Sequence, residues 1–475
     1  MFAQYKSRLM LLFCMLDRVL RRLETTFKIL MIAFFALLFF KLSGPVLEGF
    51  GIASASKGRS YSVFFPNFAS RPLAVLPSWV AAKISGVGAS GYALVGIFLF
   101  AARICAIFIL QKKLSGITFA TLFFVSLLPP WFSISNERYI SGVLALTFSL
   151  YGFVFLLRGK TFSFYMFVIL ATLSYPAVVL CIPFAYISLL LIQNGFQLNG
   201  IHLRKIAYGV LPSLVSFLIY KSLSYIFPGS YDSNFGSFDW AKSVYQLSSS
   251  LFFTYKFQTF FVYIGLIYIL LITNGSRRLF RNSVILFLLA IFPAFSYAQY
   301  FVHLRDSDRV FLPIATTLML LFVGANHFSN AMKLSDSKGD VKRFLWLVVA
   351  IVYSISLIQY WLPIMQLNRH TVNAVQMQTK SEALPFRVIL VDETGKLGDV
   401  NTLFSSSLFS AVQYENSRVT AAEICTPIGV VRNHPVAKRF PLPTTLDCES
   451  IKMESGDIVF TLVSYDPFIL HKKIS

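Results

Sequence analysis

Residues 140–157 read ISGVLALTFSLYGFVFLL, a run without a charged side chain, and the triplet RGK follows it at 158–160. The hydrocarbon core of a bilayer is spanned by about 20 mostly apolar residues of helix. Basic residues collect at the cytoplasmic ends of such helices. The stretch therefore predicts a membrane-spanning helix whose C-terminal end is cytoplasmic.

The same pattern recurs along the chain, which is 56% hydrophobic and 13% charged, with a mean hydropathy of +0.67. This composition predicts an α-helical polytopic membrane protein, because a helix satisfies its own backbone hydrogen bonds inside the bilayer. We predict about eleven transmembrane helices, over residues 27–43, 91–111, 115–133, 140–157, 161–174, 177–193, 206–225, 259–273, 283–300, 310–326 and 344–361.

The distribution of basic residues predicts the orientation of these spans. With the N-terminus in the cytoplasm, the basic clusters all fall inside: Lys112–Lys113, Arg158–Lys160, Arg204–Lys205, Arg277–Arg281 and Lys333–Arg343. The same rule accounts for the net charge of +21, and no nucleic-acid-binding motif accompanies that charge. Residues 1–26 contain an apolar run too short to span, so we expect a cytoplasmic interfacial segment there.

One pair of spans depends on a proline. The stretch 161–193 could form a single long helix, but the basic segments on both sides of it look cytoplasmic. An even number of crossings must therefore lie between them. We place the break at Ser174-Tyr175-Pro176, since proline disfavours a continuous helix.

Two long segments then face the outside. One is the first external loop, 44–90, within the transmembrane domain 27–361. The other is the tail, 362–475, which is more polar and contains the strand-like runs RVILVD at 387–392 and DIVFTLVSYD at 457–466. We predict that this tail is a small extracytoplasmic α/β domain.

Two of the five cysteines, Cys425 and Cys448, lie in the tail. An outward-facing tail is in an oxidising compartment, which favours a disulfide between them. Metal binding is the alternative, with only His434 nearby, and a cytoplasmic tail would keep both as thiols.

Outward-facing acids are scarce in the membrane half: Glu48, Glu137, Asp232, Asp239, Asp306 and Asp308. An acid just outside a span, in apolar surroundings, is costly and often functional. Glu48 is the only acid in the first external loop, and burial at the membrane surface would raise its pKa toward that of a general base. The alternative interpretation is a solvated loop acid.

The first external loop also carries a short apolar segment at 72–84, interrupted by Pro72 and Pro77, which indicates an interfacial or re-entrant helix. Arg71 at its start could hold a lipid phosphate or serve as an interfacial anchor. Glu137 and Arg138 lie in a tight external turn, where they could pair with each other or line a polar cavity.

The outward segment RDSDR, residues 305–309, contains two aspartates between two arginines. An Asp-x-Asp pair can bind a metal, but flanking arginines repel a cation, so we expect no metal here. We favour Arg305 and Arg309 as phosphate ligands, because a guanidinium presents a planar fork of donors to phosphate oxygens. The alternative is an ion-pair network at a helix end.

In the tail, Arg432 and His434 belong to a basic stretch that could contact an anionic acceptor or lipid headgroups, or form a solvated face. The chain contains no Walker loop, dinucleotide fingerprint, HExxH or GxSxG motif. ATP-driven transport and serine hydrolysis therefore lack support, and no cofactor is indicated.

These features together resemble the GT-C membrane glycosyltransferases, and within them the serotype-converting O-antigen glucosyltransferases (Gtr type). The resemblance is architectural over most of the chain. Its local carriers are Glu48, ASRPLAVLP (69–77), SYPAVV (174–179) and RDSDRVFLP (305–313).

The resemblance implies a sugar donor on polyprenyl phosphate, presented at the outer face of a bacterial inner membrane, and a surface or lipid-linked polysaccharide as acceptor. It further implies a flippase and a donor-synthesising glycosyltransferase as partners. Glu48 matches the first-loop catalytic base, while Arg305 and Arg309 match the donor-phosphate contact. Many GT-C members carry Asp or two acids in this loop, whereas this chain has one Glu. Glu137 and Asp306 therefore stay as reserve candidates for the base.

Two other classes remain. An O-antigen or capsule polymerase also acts outside and uses arginines, but a large external loop in mid-chain is expected there. A flippase or transporter predicts charges along the helices at mid-membrane, whereas the charges here gather at the outer ends of the spans.

Overall fold

The computed structural model describes residues 48–114, 137–176, 178–194, 203–227, 365–397, 405–430 and 446–474, with isolated positions at 277–289, 362–363 and 403. The helices are α1 Glu48–Ser56, α2 Phe65–Phe68, α3 Leu76–Ser85, α4 Ala89–Leu114, α5 Glu137–Leu157, α6 Thr161–Ser174, α7 Val178–Gln193, α8 Leu203–Ile226, α9 at 365–379 and α10 Ser405–Glu415. The strands are β1 Phe386–Asp392, β2 Val419–Thr426, β3 Leu446–Asp447, β4 Ile458–Tyr465 and β5 Phe468–Ile474.

Within the described part of the chain, two helical segments are long and apolar enough to cross a membrane: Ile140–Leu157 and Arg204–Ile226. They coincide with two of the predicted spans. Shorter apolar helices, Ala89–Arg103, Thr161–Ser174 and Cys181–Leu191, fall where three further spans were predicted. The other six predicted spans lie wholly or mostly outside the described residues, as does the segment 1–26.

The break between α6 and α7 is confirmed. α6 ends at Ser174, Tyr175 has an extended backbone with φ −154° and ψ 101°, and α7 begins at Val178. At its other end, α6 is joined to α5 by the tight connection 158–160, and Phe153 of α5 lies against Phe164 of α6 with ring centroids 5.9 Å apart. The two helices form an antiparallel hairpin, so the end of α6 lies beside the start of α5.

The proline in the short helix of the first external loop has a different effect from the one predicted. Pro77 does not interrupt the helix but lies in the first turn of α3. Proline is tolerated there because the first amide groups of a helix have no partner within it. α3 therefore continues without interruption to Ser85.

The tail contains a five-stranded sheet in the order β3-β2-β1-β4-β5. β1 pairs in parallel with β2 and β4, β2 pairs in parallel with β3, and β5 is antiparallel to β4. The predicted strands 387–392 and 457–466 correspond to β1 and β4. Helix α10 connects β1 to the parallel β2, so it runs back from the carboxyl ends of the strands to their amino ends.

Each face of this sheet has its own apolar core. Val388 and Leu390 of β1 pack in one cluster with Leu408 of α10 and residues of α9. Ile389 packs in a second cluster with Cys425 and Val459, against the segment 448–451 that precedes β4. The alternation along β1 follows from the two-residue period of a strand.

Candidate active site

The first external loop is a compact unit organised around Tyr61. The Tyr61 hydroxyl donates a hydrogen bond to the Pro72 carbonyl, and its ring meets Trp79 edge-on at 5.4 Å. Ile52, Phe64 and Val75 are buried beside it. Burial raises the pKa of Tyr61 to about 12, so the phenol stays protonated at neutral pH and acts as a donor. This core fixes the turn that carries Arg71.

Arg71 lies in the turn between α2 and α3. Its backbone N–H donates to the Phe68 carbonyl at 3.0 Å, and its guanidinium lies 5.5 Å from the centre of the Phe68 ring. Two residues later, the Leu73 N–H donates to the carbonyl of Leu173 at the end of α6, 3.2 Å away. This bond connects the segment ASRPLAVLP with the residue that directly precedes the segment SYPAVV, which is far from it in the sequence.

The same end of the bundle includes the start of α5. Glu137 and Arg138 are the first two residues of that helix. Because α5 and α6 form an antiparallel hairpin, the contact between Leu73 and Leu173 places the Arg71 turn at the end where α5 begins. Helices α1 and α3 also contact α5. The structure thus gathers the backbone positions of Arg71, Glu137 and Arg138 at one end of the helix bundle.

Glu48 is the first residue of α1, a helix that packs against α10 of the tail. The partners run in the same direction on both helices: Gly51 faces the Ser410 hydroxyl, and the Ser54 hydroxyl donates to Oε1 of Gln413 at 3.2 Å. The two helices are therefore parallel. The two residues of each pair are separated by the same number of positions in the sequence. Extending this spacing back to the start of α1 places Glu48 beside Ser407, in the first turn of α10.

The tail also shares its core with the first external loop. Phe50, two residues after Glu48, is 3% exposed and belongs to the apolar cluster formed by β1, β4 and α10. The partly buried Val87, after α3, packs against the same cluster. The tail and the first external loop therefore pack against each other through a common apolar cluster.

The remaining predicted site residues lie outside the described residues: Asp306, Arg305 and Arg309 in the 301–309 segment, and Arg432 and His434 in the tail. Their proposed roles remain predictions from the sequence. Among the residues that are described, no three His, Cys, Asp or Glu side chains are grouped so as to hold a metal ion.

Cys425 and Cys448 form a disulfide, with their Cα atoms 4.9 Å apart. The bond links the end of β2 to the 3₁₀ turn Cys448–Ser450. It fastens the connection 448–451 to the second face of the sheet, where Cys425 is buried with Ile389 and Val459.

Sequence reasoning missed Arg103, a fully buried arginine inside the predicted span 91–111. Its Nε donates to the Leu99 carbonyl at 3.4 Å, and its guanidinium lies 5.7 Å from the centre of the Phe100 ring. A charged side chain at this depth is costly and is commonly turned toward the bundle interior. The signal for it in the sequence is a lone arginine within an apolar run.

Comparison with family models finds no match, and comparison with curated proteins finds none. Among solved structures, the fold is similar to that of ArnT from Cupriavidus metallidurans bound to undecaprenyl phosphate. The similarity has a TM-score of 0.49 at 13% sequence identity, and it covers 92% of this chain and 93% of that chain.

Proposed function

We propose that this chain is an inverting glycosyltransferase of a bacterial inner membrane. It moves a hexose from a polyprenyl-phosphate carrier to a surface or lipid-linked polysaccharide, at the outer face of the membrane. The observation that carries the proposal is that the backbone positions of Arg71, Glu137 and Arg138 lie at one end of a bundle of apolar helices, and that the helix beginning at Glu48 contacts both α5 of this bundle and α10 of the tail. The positive-inside rule supports assigning this end to the outside, because the basic triplet 158–160 lies at the opposite end of the hairpin of α5 and α6.

In this proposal Glu48 is the general base. Its carboxylate takes the proton of an acceptor hydroxyl while the hydroxyl oxygen attacks the anomeric carbon of the donor sugar. The bond between that carbon and the phosphate oxygen breaks, and its electron pair leaves with polyprenyl phosphate. Attack from the side opposite the leaving group inverts the anomeric configuration. A correctly positioned general base contributes about 10²–10⁴ to the rate.

The leaving phosphate needs positive charge at the membrane surface. Arginine supplies it with a permanently charged, planar fork of donors suited to phosphate oxygens. Arg71 and Arg138 are candidates from the described end of the bundle, and Arg305 and Arg309 are candidates from the sequence. The lipid chain of the donor requires an apolar groove between helices, which a chain with 50 phenylalanines can line.

The tail is suited to cover such a site. It packs directly on the helix that begins at Glu48, and that position limits the access of water, which would otherwise hydrolyse the donor. In this proposal the tail also meets the polysaccharide acceptor outside the membrane.

The first test compares surface polysaccharide from the host with and without the gene by mass spectrometry. We expect the loss of one hexose per repeat at unchanged chain length when the gene is deleted. A collapse to single repeats would instead identify a polymerase. Unchanged polysaccharide would contradict the proposal.

The second test complements the deletion with variants. Glu48→Gln should remove at least 99% of the transfer, since about 10² is the lower limit for a general base, while the protein stays folded and membrane-inserted. Glu415→Gln, which changes an exposed carboxylate at the end of α10, is the matched control and should be fully active. Full activity of Glu48→Gln would refute the assignment and direct attention to Glu137 and Asp306. Arg305→Ala should weaken use of the donor, and an unchanged apparent donor affinity would argue against its role.

A further inference from the structure

The tail sheet has a topological switch point that the proposed chemistry does not use. From the central strand β1, the chain continues to β2 and β3 on one side and then returns to β4 on the other side. In open sheets of parallel strands, ligands bind outside the carboxyl ends of the strands at the position where the order reverses. In this sheet that position is the boundary between β1 and β4.

The loop that leaves β1 at this boundary is held in one conformation by Asp392. This buried carboxylate accepts hydrogen bonds from the Thr394 N–H at 3.0 Å, the Thr394 hydroxyl at 2.6 Å and the Leu397 N–H at 2.7 Å. The Glu393 N–H is bonded in turn to the Leu462 carbonyl of β4, 3.1 Å away. The loop is thus fixed at both ends before any ligand arrives, which lowers the entropic cost of binding.

Two side chains converge at the boundary from different strands. Lys396 lies in the β1 loop, and Tyr465 is the last residue of β4. The Lys396 ammonium lies 3.4 Å from the centre of the Tyr465 ring, and both side chains are half-buried. The Tyr465 ring packs partly against the apolar core of the tail and has the Lys396 ammonium over its face. A sugar bound here would receive hydrogen bonds from the ammonium to its hydroxyl or carboxylate groups, and the exposed part of the ring would contact its C–H groups.

The candidate base is at the same end of the domain. Helix α10 starts at the carboxyl edge of the sheet, because it follows β1 and leads back to the amino end of β2. Since α1 is parallel to α10, it also begins at the carboxyl edge, and its first residue is Glu48. A ligand at the switch point would therefore lie on the side of the tail where α1 starts, and not on the opposite side.

We infer that the carboxyl edge of the tail sheet binds the saccharide acceptor through Lys396 and Tyr465 and presents it to the end of α1 that carries Glu48. The inference rests on the proposed function for the identity of the ligand. The surface itself depends only on the topology of the sheet and the contacts described above.

A binding experiment tests the surface directly in the full-length protein in lipid nanodiscs. The probe is the oligosaccharide repeat released from the surface polysaccharide of the deletion strain, and dextran is the control saccharide. Hydrogen exchange read by mass spectrometry should show protection of segments 393–397 and 464–467 with the repeat and not with dextran. Protection confined to other segments, or none at repeat concentrations that sustain transfer, would overturn the inference.

A kinetic experiment tests the two side chains. Lys396→Ala and Tyr465→Ala should each raise the KM for the acceptor about ten-fold, with the KM for the donor unchanged. Lys396→Arg, which retains the positive charge, and Tyr465→Phe, which retains the ring, should recover most of the affinity. Lys452→Ala removes an exposed lysine at the opposite, amino edge of the sheet and should behave as wild type.

The outcomes separate the two proposals. An active enzyme whose acceptor KM is unchanged in both alanine variants contradicts the acceptor surface and leaves the proposed function intact. A wild-type protein without hexose transfer, but with protection at 393–397 and 464–467, contradicts the proposed function and retains the saccharide surface. A melting curve of each variant identifies any variant that has lost its fold. In that case, the hydrogen-exchange experiment on the wild type decides whether the acceptor surface exists.

Discussion

The Ser54 hydroxyl in the first external loop donates a hydrogen bond to Oε1 of Gln413 in the tail, 3.2 Å away. Next to it, the Lys57 ammonium bonds to the Tyr414 carbonyl and lies 4.5 Å from the centre of the Tyr414 ring. These contacts join segments more than 350 residues apart in the sequence. The helix that begins at Glu48 therefore has its position set by the tail, and changes at this junction should affect stability and transfer together.

Phe50→Ala should weaken this junction most. Phe50 is 3% exposed, and truncating a buried phenylalanine costs about 3–5 kcal/mol of unfolding free energy. We expect a lower melting temperature and faster proteolysis between the tail and the membrane domain, measured on full-length protein. Phe65→Ala in the same loop is the control, because Phe65 is 49% exposed. Equal effects of the two changes would show that Phe50 is not a core residue.

Gly86→Ala should be more harmful than an ordinary glycine replacement. Gly86 has a φ of 59°, and a β-carbon there would lie 2.2 Å from the Tyr414 hydroxyl oxygen. The ψ of Gly86 is −121°, which lies outside the left-handed helical region. Gly58 has a φ of 70° and nothing within 4 Å, so Gly58→Ala measures the cost of a positive φ without a close neighbour, about 1–2 kcal/mol. We expect Gly86→Ala to lower the melting temperature clearly further.

The background Tyr414→Ala tests the cause. Removing the ring should reduce the cost of Gly86→Ala to the backbone strain at Gly86 itself, as measured by a double-mutant cycle. If the cost at Gly86 is the same with and without the ring, the close approach to Tyr414 is not its source.

The elements that sequence reasoning predicted well are those with local signals. Apolar runs closed by basic residues located α5 and α8, the β-branched and apolar runs located β1 and β4, and Pro176 located the break between α6 and α7. The effect of Pro77 could not be predicted, because it depends on whether a proline lies in the first turn or in the interior of a helix, and the sequence alone does not fix the start of α3.

The junction between α1 and α10 could not be predicted. Phe50 lies in a short segment with no periodic pattern, and its burial depends on strands that follow it by more than 300 residues. Glu48 could be selected from the sequence because acids are scarce in the outward-facing segments. Its position beside α10, however, follows from the tertiary packing alone. For the same reason, the proximity of Lys396 and Tyr465 could not be predicted, because it depends on the strand order of the sheet.

The ion pair between Arg387 and Asp457 should make the tail sensitive to acid. Nε and Nη2 of Arg387 donate to the two carboxylate oxygens of Asp457, at 3.1 and 2.5 Å. Burial alone would raise the pKa of Asp457, but the bonds from Arg387 and the Glu454 N–H outweigh it and hold the pKa below its ordinary value of 3.8. The unfolded chain therefore binds more protons in this range, and the free energy of unfolding falls as the pH drops from 3.8 through the lower folded pKa.

Asp457→Asn should remove this part of the pH dependence and cost about 2 kcal/mol at neutral pH, since hydrogen bonds to charged groups contribute about 1.5–3 kcal/mol. Chemical denaturation between pH 3 and pH 7 measures both effects. Glu423→Gln is the matched control, because Glu423 is 3.8 Å from Arg387 and 30% exposed, and exposed pairs contribute little. A variant with the same slope as wild type would show that another group governs the acid response.

The disulfide between Cys425 and Cys448 provides a test of both the fold and the side of the membrane on which the tail lies. It closes a loop of 23 residues in sequence separation, for which the loss of the cross-link costs about 3 kcal/mol. The double change Cys425→Ala/Cys448→Ala should lower the melting temperature of the tail, and a reducing agent should lower that of the wild type by a similar amount. Cys105→Ala, at an exposed free cysteine, is the control.

Protein alkylated in intact cells before lysis should contain the cross-linked peptide pair, because disulfides persist in oxidising compartments and not in the cytosol. Recovery of both cysteines as alkylated thiols would place the tail in the cytoplasm, and the proposed transfer at the outer face of the membrane would then be wrong.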